Sequence, residues 1–406
     1  MIQSILSRFS LWGQFRQVWN RVPTPLRRPL KAVARILESP LLAPYRAQLR
    51  KILANHPQAK QIIVFAPSLA WYGQLFQRPQ QLALALARQR ALVFYIEPVQ
   101  QKQHGPFQEL APGMIWCNVP VSVFNVIRSP LVYILTWNRD YLSAFKAPRV
   151  IYDFVDDIDV FHGDEGQISK EQIVRDHEKL VRDSTLLLVT AEDLLRQVEG
   201  RRPDAVLCPN GVDLSHFAST GSHAPDQPPA DLAPILAAGK PIIGYHGALA
   251  RWFDFELVKA AARCRPDLSF VLIGPDYDRT LPPSGVLELN NVHWLGKKDY
   301  ADLPGYVRRF DVAMIPFQLN SITHATSPLK LFEYMAAGKP VVITPMRESM
   351  RYPGVLVAQD AQDFSSKLDQ ALKLRLDPNY LSQIERVAQE NTWDARARRI
   401  LEALAE

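Results

Sequence analysis

TSPLKLFEYMAAGKPVV, running from Thr326 to Val342, reads as loop, short helix, glycine stop and buried strand. Thr326 or Ser327 is placed to cap the helix, with Pro328 at its first position, where a missing N–H costs nothing. Gly338 supplies a left-handed stop and Pro340 forbids continuation. Val341, Val342 and Ile343 come next as an apolar run of strand type. Lys330 is the residue out of place. A cation in the first turn opposes the helix dipole by about 0.3–1 kcal/mol. It becomes favourable when an anion sits at the free N–H groups there. Glu333, three residues on, shares its face. Phosphate beside Lys330 and a sugar hydroxyl beside Glu333 would make a nucleotide-sugar site. A Lys330–Glu333 surface pair on an ordinary amphipathic helix is the competing reading, and this stretch alone leaves both open.

Outward from it, strands alternate with helices. QIIVFAP (61–67) and ALVFYIE (91–97) are apolar runs of strand length, separated by a helix over about 77–89. Further strands are expected at 132–135, 150–154, 186–190 and 206–208, with helices near 170–183 and 191–199. Residues 218–240 shift to Ala, Pro, Ser, Gly and Asp, a linker composition. A second set begins with PIIGYHGAL (241–249), a helix over about 254–264, strands at 269–274, 292–296 and 311–317, and helices over 360–375 and 377–405. Such alternation implies α/β architecture, with parallel sheets covered on both faces. The expected division is an arm (1–55), a first Rossmann-like domain (56–217), the linker (218–240), a second Rossmann-like domain (241–375) and C-terminal helices returning to the first (376–406).

Charge is unevenly placed. The 406 residues carry a net +6, yet residues 1–51 hold ten basic side chains and one acid, Glu38, leaving −3 on the remainder. The body is therefore not a basic nucleic-acid-binding domain, and no nucleic-acid partner is expected. The apolar residues Ile2, Ile5, Phe9, Trp12, Phe15 and Trp19 recur at helical spacing among arginines. This composition suits an anionic membrane surface, contacted through residues 1–37. Packing on the body or a partner chain, and a targeting peptide, are the other readings. No apolar run approaches the ~18 residues of a membrane span. Three isolated cysteines, Cys117, Cys208 and Cys264, argue against a disulfide framework or zinc site and fit a reducing compartment. A cytoplasmic protein on the inner face of the cell membrane is expected.

Several residues fall where strands end, which is where parallel sheets bind ligands. Gly247 allows close backbone approach in a phosphate-cradling loop. His246 beside it is a site residue or a satisfied core histidine. Val150 to Asp157 ends a strand with Asp153, Asp156 and Asp157. Asp153 or Asp156 suits an acceptor hydroxyl as base or orienter, and a capping role competes. Asp157-Ile158-Asp159 spells a metal-binding D-x-D pattern, but so does Asp276-Tyr277-Asp278, so the pattern carries little and no metal is expected. Lys297 falls near a nucleotide base or on the surface. Asn320 is a candidate sugar contact.

The Thr326–Val342 block resembles the donor-binding helix of GT-B glycosyltransferases, in particular the retaining family four group, whose pattern runs E-x-F-G-x-x-x-x-E-A-M-A-x-G-x-P-V-V. Glu333 matches the second glutamate. Met335, Ala336, Gly338, Pro340, Val341 and Val342 match the positions after it, while Ala325 stands at the place of the first glutamate. The P-N-G-V-D of residues 209–213 resembles a feature of the GT-B family at large, while the S-P-L-K-x-x-E-Y form and the R-P-Q-Q-L-A of Arg78–Ala83, with Gln81 in place of the usual histidine, resemble a subgroup implicated in assembling cell-surface polysaccharides of teichuronic-acid type. The resemblance covers residues 61–405. It implies two Rossmann-like domains across a cleft, and a sugar moved from a nucleoside-diphosphate sugar to a glycan or lipid-linked acceptor. Retention of configuration and no cofactor beyond the sugar nucleotide are also implied.

By the same resemblance Glu333 would hold ribose hydroxyls, and Ser327 and Gly247 would line the donor. Arg78, on the acceptor side, either reaches a phosphate at the cleft between the domains or is a surface arginine at a helix start. The family's arginine and lysine after the glycine loop are here Ala248 and Phe253, so Lys330 and Arg251 are the cations left to meet the leaving diphosphate. Two rivals stand beside this reading: a degenerate sugar-nucleotide-binding subunit docked at a membrane, and a nucleotide-sugar epimerase on the same fold.

Overall fold

The computed structural model describes residues 24–73, 75–101, 103–160, 169–218 and 227–405, the side chains of 24–39 and of residue 160 excepted. The amphipathic stretch 1–22 lies outside the described residues. Two sheets organise the rest.

The first sheet contains β1 (Ile62–Phe65), β2 (Leu92–Ile96), β3 (Phe107–Ala111), β4 (Met114–Cys117), β5 (Leu131–Ile134), β6 (Arg149–Phe154), β7 (Leu186–Val189) and β8 (Val206–Leu207), in the order β3-β4-β2-β1-β5-β6-β7-β8. Helices α1 (Thr24–Asn55), α2 (Arg78–Arg88), α3 (Lys170–Asp183) and α4 (Glu192–Val198) belong with it. Every residue of β2, β4, β5 and β7 is buried, as in strands covered on both faces. One pairing departs from the parallel expectation: β3 and β4 form an antiparallel edge. Gln108 and Glu109 of β3 face solvent, and such a half-exposed edge strand has no continuous apolar run to announce it.

The second sheet contains β9 (Ile242–His246), β10 (Ser269–Ile273), β11 (Val292–Trp294), β12 (Val312–Ile315), β13 (Val341–Ile343) and β14 (Val355–Val357), in the order β11-β10-β9-β12-β13-β14, parallel throughout. Helices α5 (Phe255–Cys264), α6 (Leu329–Ala336) and α7 (Ala361–Leu374) pack on it. Both sheets reverse strand order beside their first strand, between β1 and β5 and between β9 and β12. Ligands bind outside the carboxyl ends at such switch points.

Two expected boundaries move. Leu42 and Leu49 of α1 are buried in the first domain's core, so the chain from about Leu42 belongs to that domain and an arm ending at 55 is too long. Helix α8 (Pro378–Glu390) stays with the second sheet, burying Tyr380, Ile384 and Ala388 in its core. Only α9 (Trp393–Ala403) returns, placing Trp393, Ala397 and Ile400 in the first domain's core against α2. Asn391 and Thr392 break the two helices, Thr392 capping α9 through its side chain. Among the described residues no helix is long and apolar enough to cross a membrane.

Candidate donor and acceptor site

Loops leaving the carboxyl ends of both sheets line a cavity of about 1140 Å³. On the second-sheet side, β9 runs straight into Gly247, whose φ of +134° and crowded setting admit only glycine. A Cβ there would sit 2.8 Å from Cε of Lys330, and one on Gly274 would sit 1.9 Å from the Gly247 carbonyl oxygen. The loops after β9 and β10 are thus pressed together. The Lys330 side chain lies over them, its ammonium 5.5 Å from the Tyr245 ring and 5.1 Å from that of Phe317. The family lysine position, Phe253, is fully buried in the core, and Ala248 lines the cavity without charge. Lys330 brings a cation to the glycine loop from a different segment.

Glu333 is 1 % exposed, so the surface-pair reading fails. Its Oε2 lies 3.3 Å from Nε2 of His246, and neither atom has a hydrogen-bond partner. Burial lifts the Glu333 carboxyl to about 8, with Lys330 opposing. Burial lowers Lys330 to about 8, with Glu333 opposing. His246 is held neutral, pushed down to about 3 by burial and by Lys330. Buried polar atoms are nearly always satisfied, and two unsatisfied ones side by side on a cavity wall are placed to take up a ligand's hydroxyls.

The helix start differs from expectation. Ser327 is not the cap. Pro328 occupies that position, and Oγ and the carbonyl of Ser327 instead accept from the backbone N–H (3.1 Å) and side-chain amide (2.6 Å) of Asn210. Ser327 still lines the cavity, but its polar groups tie α6 to the Pro209-Asn210-Gly211 turn of the first domain. Asn320 sits exposed at the rim with Oδ1 used to cap the short helix Ser321–His324. Arg251 is exposed on the second-sheet side of the cavity, its backbone N–H held by Asp278. The Asp276–Asp278 carboxylates brace their own loop, Asp157 accepts from the Asp159 backbone, and Asp159 pairs with Lys170. Among the described residues no group of three or more His, Cys, Asp or Glu is placed to hold a metal ion.

On the first-sheet side, Arg78 and Asp153 are corrected. Arg78 is buried and donates to both carboxylate oxygens of Asp153, at 2.6 and 3.0 Å, and further to the Pro209 carbonyl and Asn210 Oδ1. Asp153 is fully buried and also accepts from the Tyr133 hydroxyl. Each is the other's counter-ion, and neither is left over for phosphate or acceptor. Asp156 is the carboxylate of that trio that lines the cavity, lifted to about 6 by burial and by the neighbouring Asp153 and Asp157. Sequence reasoning missed Gly274, Trp137 and Tyr300. Tyr300 lines the cavity, accepts from the buried Gln81 of the first domain at 2.6 Å and stacks on His216.

Residues 240–373, the span of β9 to α7, match the family described as "Glycosyl transferases group 1". The second domain is a group 1 glycosyltransferase domain. Across 88% of this chain and 91% of its own length, the putative teichuronic acid biosynthesis glycosyltransferase TuaH of Bacillus subtilis strain 168 is 26% identical. Two solved structures share the fold over nearly their whole length. Sucrose-phosphate synthase from Thermosynechococcus elongatus has a TM-score of 0.61 at 18% identity, covering 84% of this chain and 98% of that one. Anabaena HepE, described in complex with UDP-glucose, has 0.58 at 18% identity, covering 85% and 99%. The chain therefore has the GT-B fold, and the cavity lies between its two parallel-sheet halves.

Proposed function

We propose that this glycosyltransferase moves a sugar from a nucleoside-diphosphate sugar to a glycan or lipid-linked acceptor in cell-surface polysaccharide synthesis, with retention and without a metal. The observation that carries the reading is the meeting of Lys330, Gly247 and the start of α6 at one wall of the cavity, with Glu333 and His246 beside them. The diphosphate lies against the glycine loop and the first N–H groups of α6, with Lys330 as counter-charge and Arg251 at the rim. Negative charge grows on that diphosphate as the glycosidic bond breaks, so fixed donors there lower the barrier. Glu333, with its unpaired oxygen, takes ribose hydroxyls. Asp156 faces the acceptor hydroxyl. TuaH's description as a putative teichuronic acid biosynthesis glycosyltransferase supports the polysaccharide setting, and HepE's UDP-glucose supports a sugar nucleotide.

A panel of UDP-, GDP- and dTDP-sugars, followed for hydrolysis and for transfer to lipid-linked and free glycans, tests the reading. Turnover of at least one donor, unchanged by EDTA, is expected. Donors that bind but are never turned over would defeat it. Peripheral membrane attachment through residues 1–37 is part of the same proposal, resting on the arginine-rich amphipathic sequence there.

A further inference from the structure

The cavity is larger than the ~300–1,000 Å³ that one small ligand fills, which leaves room for a second substrate beside the donor. The first-sheet side of that space has its own chemistry. Its wall is Trp71, Tyr72, Phe76, Leu135, Trp137 and Val155. Trp71 is fixed: its backbone N–H donates to Glu97 at 2.9 Å, and its ring stands edge-on to Phe76 and Tyr95 at centroid distances of 5.3 and 5.1 Å. Phe76 in turn packs on Tyr300 of the other half. Rigid aromatic faces of this kind take an apolar ligand surface at little cost in ordering.

Two side chains of acid or base type line the cavity from this side, Arg78 and Asp156. The Arg78 guanidinium is bound by Asp153, Pro209 and Asn210, so it offers nothing to an anion. Asp156 repels one. Lys297 reaches over from the second domain, but its ammonium points to the Gly73 carbonyl at the mouth.

We propose that this half of the cavity binds an uncharged pyranose at the acceptor's end, its C–H face on Trp71 and Trp137 and a hydroxyl on Asp156, and excludes sugar phosphates. A pyranose has the required shape, apolar across one ring face and polar around its edge. A phosphate ester would enter a space with an aromatic wall, a carboxylate and no unpaired cation from the same side, where like charges repel more strongly than in water. The proposal rests on the transferase reading only in taking the donor to occupy the opposite wall.

Saturation-transfer NMR on the full chain tests it. The probes are methyl glycosides of glucose, galactose, mannose and N-acetylglucosamine, each beside the corresponding 6-phosphate, with UDP, GDP and dTDP titrated into the same samples. At least one methyl glycoside is expected to bind, with transfer concentrated on one ring face, and its 6-phosphate at least tenfold more weakly. Trp137→Ala abolishes that binding and leaves nucleotide affinity unchanged; Trp137→Phe, which keeps an aromatic face, retains most of it and guards against misfolding. Asp156→Asn narrows the gap between glycoside and phosphate. A 6-phosphate that binds as tightly as its glycoside, or a panel in which no glycoside binds, overturns the proposal. Nucleotides that fail to bind while glycosides bind would remove the donor reading and leave this one standing.

Discussion

Lys330 lies over the glycine loop from a different segment of the chain, and the proposed diphosphate site rests on it. The loop after β9 carries Ala248 at the cavity and Phe253 in the core, which leaves the exposed Arg251 as its one cation. Charge-assisted hydrogen bonds are worth roughly 1.5–3 kcal/mol, about ten- to a hundred-fold in affinity. Lys330→Met should therefore weaken the best-bound nucleoside diphosphate by that factor in calorimetry and leave the parent nucleoside nearly unaffected. An equal loss for both would show that Lys330 does not meet the phosphates. Gly247→Ala should act on the same group indirectly, since the new methyl would lie 2.8 Å from Lys330 Cε on a backbone of φ +134°. Such strain costs about 1–3 kcal/mol, so this variant should lower both Tm and nucleotide affinity.

Glu333 makes the empty protein's stability depend on pH. Its native pKa is raised above the unfolded value, so the native state binds the extra proton and stability falls as pH rises from about 4.5 to about 8. Lys330, with its native pKa lowered, acts above that window, where stability recovers toward its unfolded value near 10.5. Thermal melts of the empty protein should therefore show Glu333→Gln gaining on the parent between pH 5 and 8. A difference that is flat across this range would mean the carboxyl is already ionised at its ordinary pKa.

Among the elements, the start of α6 is where local reading went furthest astray. The apolar runs, the Gly338 stop and the strand after it were legible because each depends on neighbours in sequence. The role of Ser327 depends on Asn210, and that of Arg78 on Asp153, 75 residues away. No local pattern reports such partners. The edge strand β3 escaped for a related reason, since only its pairing with β4 defines it. The correction at Arg78 has a measurable consequence. Removing one member of a buried ion pair costs about 3–5 kcal/mol, whereas replacing both by apolar groups is often neutral. In urea melts Arg78→Met should be strongly destabilised, and adding Asp153→Leu should recover much of the loss. If Arg78→Met keeps its stability and instead loses affinity for phosphorylated ligands, the pair is not structural and Arg78 is a phosphate contact after all.

At the scale of the whole molecule, the two halves are joined by the returning C-terminal helix and across the cavity. Helix α9 reaches back to the first core, Gln81 meets Tyr300, Asn210 meets Ser327, and Glu348 of the second domain accepts from the N-terminal end of α4. The N-terminal segment is anchored at its later end. Leu42 and Leu49 are 5 % and 0 % exposed, and truncating a buried leucine costs about 2–5 kcal/mol. Deleting residues 1–55 should therefore destabilise the first domain, while deleting 1–39 should leave its Tm near that of the full chain. The shorter deletion is the one that tests the proposed membrane attachment, because it removes seven of the ten basic residues among the first 51, including Lys31 and Arg35 that belong to residues 1–37, and keeps Leu42 and Leu49. Each basic residue near an anionic leaflet contributes about 1 kcal/mol. The full chain should float with phosphatidylserine vesicles at low salt, and the 1–39 deletion should stay in the dense fraction with its nucleotide affinity intact. Equal flotation of the two would place any membrane contact on the folded body instead.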